Sequence, residues 1–353
     1  MVIFLRGKLS RIQYSLLFRF IIIVCLSSLG KSALGEMKWR ITGEFGTYKA
    51  ESPSYDSNLN FLSRLGGYLK YQDSKNHSAW LVSLHLKPEY YGSNNLNSVA
   101  KLLAKGQYLK KYIDWNWGIN FDSRKYFYSL ENENITLDIF RLQGMLSLIL
   151  NRSGILTFQP GYYYRDFVNT YDQKLDAVTA KVEIIKIFSQ YFNTGVAFYT
   201  EKFTVIENSR STIALINNQN NGWRLGPNLS VHYQTKIMFS LSYLFLFHQS
   251  KVTTGSSHEQ YLRLLLGKII LKNWTAFFLI DYYWSYFSFQ DDQDPSIYYI
   301  PFDNESRVDF KFEHLVTKHL ILYLKVGYFR DNLMLKNLSA KGWHTLLGVE
   351  IGY

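Results

Sequence analysis

The chain closes on Leu346-Leu347-Gly348-Val349-Glu350-Ile351-Gly352-Tyr353, and the reading of that stretch decides the fold. Two-residue alternation puts Trp343, Thr345, Leu347, Val349, Ile351 and Tyr353 on one face of a strand. His344, Leu346, Gly348, Glu350 and Gly352 fall on the other. Successive side chains of a strand point to opposite faces, so one face is apolar and the other mixed.

Upstream, the same alternation recurs. Val308, Phe310, Phe312 and His314 interleave with Arg307, Asp309, Lys311 and Glu313, and Trp39, Ile41, Gly43 and Phe45 with Lys38, Arg40, Thr42 and Glu44. Ile113, Trp115, Trp117 and Ile119 alternate with Tyr112, Asp114, Asn116 and Gly118. Sixteen strands are expected, near 37–50, 59–71, 78–90, 105–121, 125–131, 135–150, 155–166, 176–187, 191–204, 222–233, 237–249, 258–271, 274–288, 305–316, 319–330 and 342–353. Dropping the thin hairpin at 122–134 would leave fourteen, so the range is fourteen to eighteen. Short turns at 122–124, 151–154, 189–190, 234–236, 272–273 and 317–318 alternate with longer polar stretches. These run over 92–104, 166–175, 205–221, 250–258, 289–304 and 331–341. Pro160 and Pro227 fall inside strands, where each removes a ladder hydrogen bond.

The final stretch resembles the C-terminal assembly signal of Gram-negative outer-membrane β-barrels. That signal runs polar, any, Gly, any, any, aromatic, any, aromatic or apolar. Gly348 and Tyr353 stand at its fixed places, with Ile351 where an aromatic is usual and Leu346 where a polar residue is usual. The resemblance implies that Gly348, Ile351 and Tyr353 are read by the barrel-assembly machinery. Tight turns on one side and longer loops on the other are the pattern of such barrels. The expected fold is therefore all-β, a closed antiparallel transmembrane β-barrel with both termini in the periplasm. Closure has a physical cause, because in lipid an open sheet edge leaves its amides without partners.

Composition agrees. Aromatics make up 17% of the 353 residues and charged residues only 19%. The formal charge is +11, but Arg6, Lys8, Arg11, Arg19 and Lys31 lie in the first 35 residues, which hold no acid. The other basic residues are spread along the chain rather than clustered, which speaks against nucleic acid as a partner. Residues 1–35 read as a signal peptide, with a basic start, an apolar core of about ten residues that begins with Phe20 to Leu26, and small residues at Ala33 and Gly35. The barrel then occupies 36–353, and the single thiol, Cys25, leaves with the leader.

If the apolar faces meet lipid, the mixed faces line a lumen. Its cations would be Lys38, Arg40, Arg64, Lys70, Lys87, Lys110, Arg141, Arg165, Lys181, Arg224, Arg263, Arg307, Lys311 and Lys325. Its acids would be Glu44, Asp114, Glu183, Asp281, Asp309, Glu313 and Glu350. A lumen with excess cations favours anions, unless the charges pair across strands. His248, Ser250, Ser256, Ser257 and His258 crowd one outer loop, but no spacing marks a nucleophile with its base, so no catalytic residue is expected. No histidine spacing marks a metal, no cofactor is expected, and the Asn-rich run Asn217, Asn218, Asn220 and Asn221 reads as an external turn.

A second resemblance rests on Tyr298-Tyr299-Ile300-Pro301. It is similar to the element before the closing strands of cellulose and poly-N-acetylglucosamine export barrels, although their long periplasmic helical repeats have no counterpart in this sequence. The expected function is passive solute passage across the outer membrane. The alternatives are exopolysaccharide export, a lipid-modifying barrel enzyme and a structural barrel. Expected partners are outer-membrane lipid, lipopolysaccharide and the assembly machinery, with a homo-oligomer left open. Deleting Tyr353 should leave the protein unassembled and degraded, whereas Glu350→Gln should assemble. Immunoblots of outer-membrane fractions check this, and equal levels for the deletion and wild type would refute it.

Overall fold

A computed structural model describes residues 36–51, 59–75, 77–91, 96–130, 134–151, 153–168, 171–209, 217–253, 257–288, 306–332 and 339–352. The proposed leader, Tyr353, Ser256 and the Tyr298–Pro301 element lie outside the described residues.

Sixteen strands form the wall: β1 Glu36–Glu51, β2 Leu59–Lys75, β3 Ser78–Tyr91, β4 Leu96–Lys111, β5 Trp115–Leu130, β6 Asn134–Asn151, β7 Gly154–Val168 and β8 Tyr171–Ser189. The second half is β9 Phe192–Ser209, β10 Asn217–Gln234, β11 Ile237–Ser250, β12 His258–Leu271, β13 Trp274–Tyr286, β14 Ser306–Thr317, β15 Leu320–Asn332 and β16 Ser339–Gly352. Every strand pairs antiparallel with its neighbours in sequence, and β1 pairs with β16, from Arg40 opposite Gly352 to Glu51 opposite Lys341. The barrel is closed.

The start of β1 and the end of β16 share one end of the barrel with the tight turns, such as 272–273 and 318–319. That end is the turn end below, and the opposite one the loop end.

Two expectations about the connections are corrected. The turn after β4 is at 112–114, not 122–124. There the Tyr112 amide donates to the Trp115 carbonyl at 2.9 Å, and the two rings stack 4.2 Å apart. Alternation misled because Ile113 and Trp115 keep the two-residue period straight through the turn. Asp122 and Arg124 looked like turn residues but lie mid-strand, joined by an ion pair of 3.0 Å. The external connections are also shorter than expected, because the strands extend beyond the apolar band. β10 already begins at Asn217, so the Asn-rich run is strand. Asn220 is buried and donates from Nδ2 to Ser250 Oγ at 3.3 Å.

The face carrying Trp39, Ile41 and Phe45 on β1, Val178, Val182 and Ile184 on β8, and Leu322, Leu324 and Val326 on β15 is exposed. So much exposed apolar surface on a closed sheet is a lipid-facing band. Aromatic residues flank it. Trp80, Tyr108 and Trp117 form one contiguous group toward the turn end, and Tyr328 meets Trp343 toward the loop end. Such belts sit at headgroup level.

Pro160 pairs with Ala180 on β8, while the β6–β7 ladder skips between Gln143–Gly161 and Leu146–Phe158 with no change in register. Pro227 pairs with Phe198 on β9, and the ladder to β11 skips likewise between Leu225–Phe247 and Asn228–Leu244. The prolines therefore cost a local ladder bond on one side only, and no strand bends out of the wall.

Phe310 faces outward, half exposed, and Lys311 inward, opposite Lys325 of β15 in the ladder. Phe310→Lys should cost roughly 2–4 kcal/mol in membrane-folded stability, and Lys311→Gln far less. Denaturant unfolding in lipid vesicles reads the difference, and equal stabilities would mean that this face does not meet lipid.

Candidate functional site

The candidate site is the inner wall, where strand alternation gathers most of the charged residues. It has two zones. Toward the loop end, inward side chains such as Leu62, Leu137, Leu175, Val205 and Leu346 are almost wholly shielded. Toward the turn end, inward charges reach water.

In the shielded zone β9 and β10 place Glu201 opposite Arg224, and β11 places His248 opposite Arg224. Arg224 donates from Nη2 to Glu201 Oε2 at 2.8 Å and from Nη1 to Glu259 Oε2 at 2.9 Å. Glu259, with no exposed surface, also meets His248 Nδ1 at 2.8 Å and accepts from the hydroxyls of Tyr261 at 3.1 Å and Tyr283 at 3.3 Å. Tyr199 donates to Glu201 Oε2 at 2.5 Å. A buried charge must be paired and hydrogen-bonded to be tolerated, and this network spans β9 to β13 to achieve it.

The serines beside His248 are otherwise engaged. Ser250 Oγ meets Thr253 Oγ1 at 2.9 Å, and Ser257 Oγ donates to the Ser288 carbonyl at 3.3 Å and accepts from the Ser288 amide at 3.0 Å. His258 faces outward, its ring stacked with Phe245 and Tyr286.

A second group crosses the closing seam. Glu44 on β1 accepts at Oε1 from Lys325 Nζ at 2.8 Å and from the Tyr323 hydroxyl at 2.9 Å, both on β15. Arg64 bridges Glu44 and Glu89 at 3.7 Å each, and Lys101 reaches Glu89 at 3.5 Å. β16 lies between Tyr323 and Glu44, and it has Gly348 there. A Cβ at Gly348 would stand 2.2 Å from the Tyr323 ring, so only glycine leaves the passage open.

The remaining expected residues are mostly on the inner face as well. Lys38 pairs with Glu36 at the turn-end rim, Arg40 with Glu350 at 3.1 Å, and Arg263 with Asp281 at 3.2 Å. Lys181 pairs with Glu183 at 3.0 Å, Lys311 with Glu313 at 2.6 Å, and His344 with Asp309 at 3.1 Å. Arg141 lies over the Tyr163 ring, 5.4 Å from its centre, Arg165 is buried, and Arg307 stands opposite Asp281.

Two residues are placed elsewhere. Lys110 stands opposite Trp117 and so shares the outward parity, and Asp114 sits in the 112–114 turn. Both follow from the displaced turn. The same displacement hid Lys101, Lys105, Asp122 and Arg124, which the inner face carries. Glu201 was missed, because it shares its face with Tyr199 and Phe203 and two aromatics read as the apolar side of a strand. Glu259 gave no signal, because it stands at the start of a strand beside a polar loop.

No family model and no curated protein matches the chain. Among solved structures it is similar to CdiB from Acinetobacter baumannii, at 9% identity and a TM-score of 0.50, over 91% of this chain and 61% of that one. It is also similar to OccAB1 from Acinetobacter baumannii, at 9% identity and TM-score 0.42, over 91% and 98% of the two chains. A third is the toluene transporter TodX of P. putida, at 10% identity and TM-score 0.38, over 91% and 90%. At these identities the likeness is one of fold. The chain has the architecture of bacterial outer-membrane β-barrels.

Removing one partner from a buried ion pair leaves the other uncompensated, which costs about 3–5 kcal/mol. Arg224→Ala should therefore lower the unfolding midpoint strongly, and Arg263→Ala, in the hydrated zone, should scarcely move it. Heat-modifiability on gels measures both. Equal midpoints for Arg224→Ala and wild type would show that the network contributes nothing to the fold.

Proposed function

We propose that this barrel is an outer-membrane channel that passes small solutes, anions ahead of cations, without a catalytic step. The outward apolar band with its aromatic flanks supports the location, and the turn end faces the periplasm.

One observation carries the ionic preference. In three of the hydrated ion pairs the cation is the more exposed partner, while Lys38 and Glu36 at the turn-end rim are both well exposed. Side-chain exposure is 52% for Arg40 against 12% for Glu350, 48% for Lys105 against 17% for Asp122, and 59% for Arg263 against 31% for Asp281. In these three pairs the acid lies against the wall and the cation projects. A solute therefore meets a positive surface even though the charges pair, and a low-dielectric wall focuses that potential. The shielded loop-end zone then sets the rate of passage.

Purified protein in a planar bilayer under a salt gradient should show a reversal potential of anion-preferring sign. The preference should fade as salt rises, since the Debye length drops from about 10 Å at 0.1 M to about 3 Å at 1 M. Arg40→Glu with Arg263→Glu should shift it toward cations. A cation preference in the wild type would overturn the charge argument, and no conductance would overturn the channel itself.

A further inference from the structure

We propose that Lys87 on β3 and Arg307 on β14 reach toward each other across the lumen and together bind small dianions, so that the channel holds doubly charged anions ahead of singly charged ones. This deepens the channel reading above and rests on it. Both residues are on the inner face and exposed. Among the described residues neither has a hydrogen bond or an ion pair. The carboxylates beside them are committed to other groups. Glu89, two residues along from Lys87 on the same face, meets Arg64 at 3.7 Å and Lys101 at 3.5 Å. Asp281, opposite Arg307 in the ladder, meets Arg263 at 3.2 Å. Asp309, two residues along from Arg307, meets His344 at 3.1 Å. Glu89 and Asp309 are also buried, so a solute meets the two cations first.

The closed wall turns these two cations toward each other. β15, β16, β1 and β2 separate their strands along the sheet. At about 4.8 Å per strand, the five steps from β14 to β3 span about 24 Å, beyond the reach of two side chains along the wall. Arg307 nevertheless lies near enough to repel the Lys87 ammonium, as Lys101 does, while Glu89 and Glu44 attract it. The approach is therefore across the lumen. Lys87 also stands directly opposite Lys101 in the β3–β4 ladder, and like charges so placed destabilise a sheet. An anion held between Lys87 and Arg307 relieves that repulsion. One negative charge satisfies either cation, whereas two on one small molecule satisfy both at once. The guanidinium fork matches a carboxylate or a tetrahedral oxyanion, and the ammonium is a compact point charge that accepts either.

The test uses the purified full-length barrel in a planar bilayer, with chloride current titrated at constant ionic strength. The probes are sulfate and succinate, each a dianion, and acetate, a monoanion. Sulfate and succinate should block the wild-type current, and acetate should not. Lys87→Gln and Arg307→Gln should each raise the sulfate concentration for half-block about fivefold, the worth of one exposed charge contact. Lys236→Gln removes the same charge from an exposed turn and should leave the half-block unchanged. Heat-modifiability on gels shows that each variant is folded before its current is read. Sulfate acting alone would assign the site to tetrahedral oxyanions, and succinate acting alone to dicarboxylates; either bears the pairing out. Wild-type half-block in Lys87→Gln or in Arg307→Gln would overturn the proposal, as would acetate blocking as strongly as sulfate. Conductance with no block by either dianion would sink this inference alone, whereas no conductance would sink the channel reading and this inference with it.

Discussion

The structure depends on the closure of one seam. Fifteen of the sixteen strand pairings join segments adjacent in sequence, but β1 and β16 must meet from opposite ends of the chain. In hydrocarbon an unpaired edge would leave a row of amide and carbonyl groups without partners, each costing several kcal/mol. The backbone ladder is the first answer, and a side-chain clasp over it is the second. Glu44 on β1 receives Lys325 and Tyr323 from β15, reaching past β16. That reach exists because position 348 is glycine: a side chain there would occupy the space of the Tyr323 ring. Gly348, which entered as part of a short sequence resemblance, thus has a packing role in the seam itself.

The interior divides its charges by depth. Toward the loop end, Arg224, Glu201, Glu259 and His248 form a shielded network in which a tyrosine or cation answers each carboxylate. Toward the turn end the pairs are looser and wetter. The two zones do different work. The first fixes strands β9 to β13 against one another around a water-poor layer. In the proposed channel the second sets the potential that a solute meets. Charge pairing across strands, the alternative that the sequence offers, holds for most of the lining, and in the Arg40, Lys105 and Arg263 pairs the cation still projects. The reason is geometric: Lys and Arg are long enough to project from the wall while Asp and Glu remain against it.

Much of this was legible from alternation alone, because a barrel in lipid enforces a strict two-residue period. The strand number and the inward parity of Arg40, Glu44, Arg263, Asp281 and Lys325 follow from it directly. What alternation cannot see is a turn that preserves the period. Ile113 and Trp115 bridge 112–114 without breaking the pattern, so the parity of β4 was inverted while that of β5 held. A slip of one residue exchanges the two faces. That inversion put Lys110 among the lining residues and hid Lys105, whereas Asp122 was hidden because it was read as a turn residue. The network around Glu259 was illegible for another reason. Its members come from five strands, and only the ladder registers bring Glu201, Arg224 and His248 into one row.

The prolines make the same point about the wall. In a soluble sheet Pro160 and Pro227 would argue against central strands, because each lacks the amide its neighbour needs. Here each keeps full pairing on one side and skips a step on the other, with no shift of register. A closed barrel tolerates this because every strand is held on both sides for fifteen or so residues. The loss of one rung leaves the flanking rungs to fix the register. The constraint that forbids an open edge therefore also makes the wall tolerant of local faults, and the sequence can afford prolines on the lipid face.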